Sequence, residues 1–163
     1  MMRDMTAADV DAVLLIEQAV QAYPWTRGNF TDAIHSAYIC RVDEVEGELC
    51  SYAILMPAVD EAELLTIGVA AKLLRNGLGR MMLQEMLEIA QVKNMRRVFL
   101  EVRSSNAAAV ALYLSAGFEL IGTRRGYYRS ANGNEDALTM ARELQQHSRF
   151  QFAGVAAGER ADG

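Results

Sequence analysis

Apolar and polar residues at the start of the chain follow a helical spacing. Thr6 precedes Ala7-Ala8-Asp9, which is typical of a capped helix start. The apolar stripe that follows predicts a helix that runs to about Ala22. Pro24-Trp25 interrupts this pattern, and a second, short helix is predicted over residues 29–36.

Alternating apolar and polar residues then predict three strands, over residues 38–45, 49–58 and 62–69. The first two strands are joined by Glu46-Gly47-Glu48, a short polar turn that indicates an antiparallel hairpin. Asp60-Glu61 marks the turn before the third strand. The middle of the chain is therefore expected to form an antiparallel sheet.

Helical and strand patterns alternate in the second half of the chain. They predict a helix over 80–93, a strand over 97–102, a helix over 107–116, and two strands over 119–125 and 136–142. Gly117 follows the second of these helices as a typical C-terminal glycine, and Asn132-Gly133 marks the turn between the last strands. This order predicts an α/β fold of the α+β type, with one mixed sheet, in a single domain over residues 1–144.

Length, composition and charge narrow the classes of function. Residues 145–163 are polar and small, which predicts a disordered C-terminal tail. No apolar run is long enough to cross a membrane and no signal peptide is evident, so a cytoplasmic protein without membrane contact is expected. The net charge of −5 argues against direct nucleic-acid binding. Two cysteines and two histidines without a ligand spacing predict no metal site.

A glycine-containing loop, Arg75-Asn76-Gly77-Leu78-Gly79-Arg80, lies between a predicted strand and a predicted helix. Glycines at such a junction let backbone N–H groups approach an anion, and the helix start adds the positive end of its dipole. Arg80-Met81 replaces the Lys-Ser/Thr of a P-loop, and Met82 stands where a dinucleotide-binding loop has its third glycine. The loop therefore predicts a diphosphate site of another kind, and the alternative is a plain glycine turn.

The loop and its surroundings resemble the GCN5-related N-acetyltransferase (GNAT) family. The resemblance rests on LLTIGV at residues 64–69, on the glycine loop, on LEVRSSNAAAVALYLSAGF at 100–118, and on Tyr127-Tyr128. The run at 100–118 is similar to the bacterial ribosomal-protein-alanine subfamily (RimI type), and the likeness extends over about residues 6–144. One position departs from the family: Leu74 stands where its loop usually has Gln or Arg.

The resemblance implies a mostly antiparallel sheet that splays at a bulge and holds acetyl-coenzyme A, as cosubstrate, in the gap. It implies that Glu101 is the general base and that Tyr113 protonates the departing thiolate. The cosubstrate-binding residues that it implies are Ile67, Gly68, Val69, Arg75, Asn76, Gly77, Leu78, Gly79, Arg80 and Asn106.

Each of these assignments has a plainer alternative. Glu101 could be a surface residue paired with Arg103, and Tyr113 could simply pack beside Phe118. Gly68 is expected to mark a bulge or a close backbone approach, or else merely to weaken its strand. Asn106 would cap its helix in any fold.

For the acceptor, the resemblance implies the N-terminal amine of a protein, namely the N-terminal alanine of a small-subunit ribosomal protein. Transfer would be direct, within a ternary complex. The alternatives are a GNAT enzyme that acetylates a polyamine or an aminoglycoside, and a non-catalytic acyl-coenzyme A sensor. Three segments are candidates for the acceptor side. A loop over residues 124–129 with Tyr127-Tyr128 could line it or be an ordinary surface loop, and the acids Asp60, Glu61 and Glu63 could attract a basic peptide terminus or form an ordinary charged turn. Trp25 could cover the acceptor groove or be a core residue.

Overall fold

The computed structural model describes residues 1–74 and 76–145. In chain order, its helices and strands are β1 (Met2–Asp4), α1 (Val10–Val20), α2 (Arg27–His35), β2 (Ile39–Val45), β3 (Glu48–Ala58), β4 (Glu61–Val69), α3 (Leu78–Val92), β5 (Arg97–Arg103), α4 (Ala107–Ser115), β6 (Glu119–Ser130) and β7 (Gly133–Glu143). The predictions for Arg75 and for a disordered tail, beyond Gln145, fall outside the described residues.

The strands form one seven-stranded sheet in the order β1-β2-β3-β4-β5-β7-β6. Neighbouring strands run antiparallel except β4 and β5, which are parallel. The register between β3 and β4 shifts after Ile54, because Ile54 lies opposite Thr66 whereas Leu55 lies opposite Leu64. Leu65 is therefore the extra residue of a β-bulge. The prediction of a mixed, mostly antiparallel sheet in one α/β domain is confirmed.

Helices cover both faces of the sheet, and each face has its own apolar core. On one face, α3 and α4 pack through residues such as Met82, Leu83 and Tyr113 against inward side chains of β3, β4 and β5. On the other face, Val13 of α1 and Phe30 of α2 pack against Tyr52 and Ile54 of β3. None of the helices in the described ranges is long and apolar enough to cross a membrane.

Local sequence signals account for the helix ends. The Thr6 N–H donates to the Asp9 carboxylate at 2.8 Å, and a 3₁₀ turn over Ala7–Asp9 leads into α1. α1 ends at Val20, two residues before the predicted end. After α4, Gly117 has a φ of +90°, and the Phe118 N–H donates to the Tyr113 carbonyl at 3.0 Å. The C-terminal glycine was thus correctly predicted.

Two strand assignments differ from the sequence prediction. The expected loop over residues 124–129 is wrong, because β6 continues through it to Ser130. A register shift between Arg124 and Tyr128 accommodates the extra residues, and Gly126 turns there with a φ of +62° while its N–H donates to the Asp136 carboxylate at 2.9 Å. β1 was not predicted, because three residues on the edge of β2 are too few to give a pattern.

Candidate active site

A wedge opens where β4 and β5 part. Their parallel pairing covers Glu61, Ala62 and Glu63 opposite Arg97, Val98 and Phe99, and extends no further within the described residues. Beyond Glu63, the edge of β4 that faces β5 therefore has main-chain groups that do not pair with β5 in this part of the chain. Such an edge can accept an extended ligand as though it were another strand.

The hydrogen-bond alternation of the ladder identifies which groups face this wedge. The Ala70 N–H donates to the Cys50 carbonyl at 2.9 Å, and the register then places Gly68 opposite Tyr52 and Ile67 opposite Ala53. Every second residue of an antiparallel strand bonds to its partner. The main-chain groups of Gly68 are thus directed to β3, while those of Ile67 and Val69 are directed into the wedge.

Gly68 marks a close approach and not the bulge. A Cβ atom at this position would lie 2.3 Å from the Tyr52 hydroxyl oxygen and 2.5 Å from Cζ of the same ring. The glycine therefore lets the Tyr52 ring lie directly beneath the backbone of β4. This excludes the plainer alternative, in which the glycine only weakens its strand.

The glycine loop ends at the start of α3, beside the far end of the wedge. Gly77 has a φ of +77°, which favours glycine, and α3 begins at Leu78. A Cβ atom at Gly79 would lie 3.5 Å from a methyl group of Val69 in β4. The first N–H groups of α3 have no partner within the helix, so this junction has the donors that an anion needs. Leu74 is exposed, and the Arg80 guanidinium contacts the Ser115 carbonyl at 3.4 Å.

Glu101 lies two residues beyond the last β4–β5 pair, at the mouth of the wedge. Its side chain is 20% exposed, and its Oε1 lies 3.4 Å from Nε of Arg124 on β6. The alternative pairing with Arg103 is wrong. The Arg103 guanidinium instead lies 3.5 Å from the Glu135 carboxylate, and it is stacked between the rings of Tyr23 at 3.4 Å and Tyr128 at 4.2 Å.

Of the three acids Asp60, Glu61 and Glu63, it is Glu63 that lies near Glu101 and Arg124. Asp60 and Glu61 form ion pairs with Arg96, at 2.9 and 3.3 Å, as ordinary surface residues do. Glu63 is half-buried on the same face as Glu101. Burial is the main cause that raises the pKa of the Glu63 carboxyl, and the negative charge of Glu101 raises it further. The positive charge of Arg124 opposes this shift. The site thus has a concentration of negative charge that suits an incoming ammonium group.

Tyr113 approaches from the other face of the sheet. It is buried on α4, and its ring centroid lies 5.8 Å from that of Phe118. Tyr113 therefore does pack against Phe118, as the plainer alternative predicted. A tyrosine phenol is protonated at neutral pH in any case, and burial raises the pKa of this one further, to about 12. Within residues 1–74 and 76–145, the Tyr113 hydroxyl makes no hydrogen bond. Asn106 caps α4, since its Oδ1 accepts from the Ala109 N–H at 3.2 Å, and its amide N–H groups stay available.

Three residues near the end of α1 also touch the site and were not assigned to it from the sequence. The Gln21 side chain donates to the Ile67 carbonyl at 2.9 Å, Tyr23 stacks on Arg103, and Glu17 is buried against β4. No local pattern could have indicated contacts between positions so far apart in the chain. Trp25 is an anchor of the second core, since its ring centroid lies 5.1 Å from that of Phe30.

Comparison with known proteins gives consistent matches. Residues 10–118 match the model of the acetyltransferase (GNAT) family. The [ribosomal protein bS18]-alanine N-acetyltransferase of Salmonella typhimurium is 37% identical over 137 residues, which cover 84% of this chain and 93% of the relative. Its counterpart in Escherichia coli K12 is 36% identical over the same shares. The crystal structure of the ribosomal-protein-S18-alanine N-acetyltransferase from Escherichia coli superposes with a TM-score of 0.85 at 34% identity, covering 91% of this chain and 96% of that one.

Proposed function

Because the chain belongs to the acetyltransferase (GNAT) family, we propose that it transfers the acetyl group of acetyl-coenzyme A to the N-terminal alanine of ribosomal protein bS18. The observation that carries the activity is the open edge of β4 with Glu101 at its mouth. The acceptor rests on relatives that bear this activity in their names and match 84% of the chain.

Acetyl-coenzyme A fits the wedge as an additional strand. Its extended arm carries amide groups, and the N–H groups of Ile67 and Val69 with the C=O group of Val69 complement them. The Ile67 C=O already accepts a hydrogen bond from Gln21. Its diphosphate fits the start of α3, where Gly77 provides the left-handed turn. The residues proposed to hold the cosubstrate are Ile67, Gly68, Val69, Arg75, Asn76, Gly77, Leu78, Gly79, Arg80 and Asn106. Of these, Gly68 contributes by its missing side chain, because its main chain bonds to β3.

The acid and the base are proposed to act from opposite faces of the sheet. The side chains of Val98, Leu100 and Val102 point into the core under α3 and α4, so Glu101 points to the face that carries α1. Tyr113, on α4, belongs to the opposite face. An amine that enters beside Glu101 would therefore attack a thioester whose sulfur leaves towards α4.

The reaction then needs no protein nucleophile. The amine nitrogen attacks the thioester carbon, a C–N bond forms, and the C–S bond breaks. Glu101 takes the proton from nitrogen, and Tyr113 gives its hydroxyl proton to the departing sulfur. A main-chain N–H on the open edge of β4 donates to the carbonyl oxygen as it gains charge. An N-terminal amine has a pKa of about 8, so a useful fraction is neutral near pH 7, and modest base catalysis suffices.

The acceptor side is proposed to lie between the segment after α1 and β6. Glu63 and Glu101 attract the ammonium form of the peptide terminus, and Arg124 holds Glu101 in place. Tyr127-Tyr128 lies on β6 and packs edge to face, with ring centroids 5.1 Å apart. These rings, with Arg103, form the wall against which the first peptide residues would lie.

The direct test is acetylation of synthetic peptides by the purified protein, followed by mass spectrometry. A hexapeptide with the bS18 N-terminus should gain one acetyl group on its alanine. A matched peptide with a blocked terminus and an internal lysine should gain far less. Acetylation of polyamines or aminoglycosides but not of the peptide would contradict the proposal and favour the small-amine alternative. Tight binding of acetyl-coenzyme A without turnover of any amine would instead favour an acyl-coenzyme A sensor.

A further inference from the structure

Glu17 of α1 is a buried carboxylate that no step above uses. It is 1% exposed, and it accepts hydrogen bonds from the Thr66 hydroxyl at 2.6 Å and the Tyr52 hydroxyl at 3.2 Å. The other buried carboxylates, Asp9 and Asp43, each have a cationic partner. Glu17 has none within the described ranges 1–74 and 76–145. Its position is therefore held by hydroxyl groups alone.

The two hydroxyl donors belong to the parts of the sheet that shape the wedge. Thr66 follows Leu65, the extra residue of the β-bulge, and its side chain points to the α1 face. The Tyr52 ring lies directly beneath Gly68, closer than any side chain at that position would allow. One carboxylate thus fixes both the bulge and the ring on which the next part of β4 rests.

A further contact to β4 is made at the C-terminal end of α1. Gln21 is the C-cap residue directly after α1, four positions after Glu17, and its side-chain amide donates to the Ile67 carbonyl at 2.9 Å. α1 therefore holds β4 by polar contacts at Thr66 and Ile67 and, through Tyr52, at Gly68. The Ile67 carbonyl that Gln21 binds is itself one of the main-chain groups that face the wedge, and Thr66 and Gly68 lie on either side of it.

We propose that Glu17 is a positioning residue for acetyl transfer, which sets the bulged segment of β4 so that its free N–H groups meet the thioester carbonyl. This rests on the proposed function. Glu17 acts through Thr66 and Tyr52 and touches neither substrate. Donors that polarise a carbonyl are effective only when they are held in place before the reaction.

The chemistry of the site argues for this role over a role in stability. Burying a carboxylate without a cationic partner costs more free energy than burying a neutral group of the same shape. Burial raises the pKa of Glu17, and the bonds from Thr66 and Tyr52 only partly offset this effect. The ionised form of Glu17 is therefore less favourable in the folded protein than in the unfolded chain. The hydrogen bond from the Thr66 hydroxyl is short, at 2.6 Å, which suits a residue that must fix the position of the bulged segment.

The test compares Glu17→Gln with the wild type and with Glu85→Gln. Glu85 is a carboxylate of α3 that pairs with Arg41 and lies outside the proposed site. The Glu17 variant should lose about tenfold to a hundredfold in kcat, as expected when reacting groups are misplaced by a fraction of an ångström. Its KM for the peptide should stay within about threefold of the wild-type value. Its Tm at pH 7 should be unchanged or higher, while Glu85→Gln should keep wild-type kcat.

A double-mutant cycle with Thr66→Val tests the proposed route. If Glu17 acts through Thr66, the double variant should be little slower than the slower single variant. Effects on kcat that multiply would overturn the proposal. So would a kcat of Glu17→Gln within twofold of wild type, or a kcat loss that accompanies a clear fall in Tm, since the latter indicates a plain structural role. If the wild type itself fails to acetylate the peptide, the proposed function fails instead, which separates the two results.

Discussion

At the scale of single residues, the proposed chemistry depends most directly on Glu101. Replacing it with glutamine removes the proton acceptor and keeps the shape of the side chain. The variant should lose about 10²- to 10⁴-fold in kcat, while its KM for acetyl-coenzyme A should change little. Steady-state kinetics with the alanine peptide measures both constants.

Glu61→Gln is the matched control for this change. Glu61 lies at the start of β4 and pairs with Arg96 on the surface, so its kcat should stay near the wild-type value. If both variants are equally slow, loss of negative charge near the sheet explains the effect. If Glu101→Gln retains full activity, Glu101 is not the base.

Glu17 should make stability depend on pH in a defined direction. Because the pKa of Glu17 is raised in the folded protein, its neutral form contributes stability that is fully present below the unfolded pKa of about 4.3. That contribution is lost as the pH rises through the folded pKa. The Tm of Glu17→Gln relative to wild type should therefore increase from pH 4 to pH 7. Calorimetric scans across this range measure the difference, and a constant or decreasing difference would contradict a raised pKa.

At the scale of elements, the segment after α1 is joined to β5 and β6 by a stack of three side chains. Tyr23 and Tyr128 enclose the Arg103 guanidinium at 3.4 and 4.2 Å. Tyr23→Ala should free the segment and raise the KM for the peptide by about three- to tenfold, the range expected for one cation–π contact. The KM for acetyl-coenzyme A should not change, because this contact lies on the acceptor side.

The conservative variant separates stacking from other effects of Tyr23. Tyr23→Phe keeps the aromatic face and should restore a nearly normal KM for the peptide. A phenylalanine variant as impaired as the alanine variant would show that the hydroxyl matters and that the stack does not position the acceptor.

Elements that depend on local spacing could be predicted from the sequence, whereas those that depend on long-range contacts could not. α3, α4 and the strands from β2 to β5 were located to within a few residues, because their apolar spacing is a local property. The extension of β6 was missed because it depends on pairing with β7 across a bulge. Glu101 was placed at the open end of the sheet by resemblance to a family. The roles of Glu17 and Gln21 could not be predicted, since they depend on contacts with β4 that span more than 40 residues of sequence.

At the scale of the whole molecule, the wedge leaves the two parts of the sheet weakly joined to each other. Only three residue pairs connect β4 to β5 in the described chain, whereas β5 and β7 are paired along seven. A ligand that bonds along the open edge of β4 should therefore stabilise the folded protein as a whole. At about one hundred times its dissociation constant, a ligand that binds only the folded state adds about 2.7 kcal/mol. For a chain of this size, that corresponds to a rise in Tm of roughly 5–10 °C.

The comparison with ADP determines whether the arm of the cosubstrate contributes to this effect. ADP carries a diphosphate for the start of α3 but has no arm to lie along Ile67 and Val69. At equal concentration it should raise the Tm far less than acetyl-coenzyme A, because the open edge of β4 stays unpaired and affinity is lower. Equal shifts from the two ligands would mean that only the glycine loop binds, and the wedge would then have no part in holding the cosubstrate.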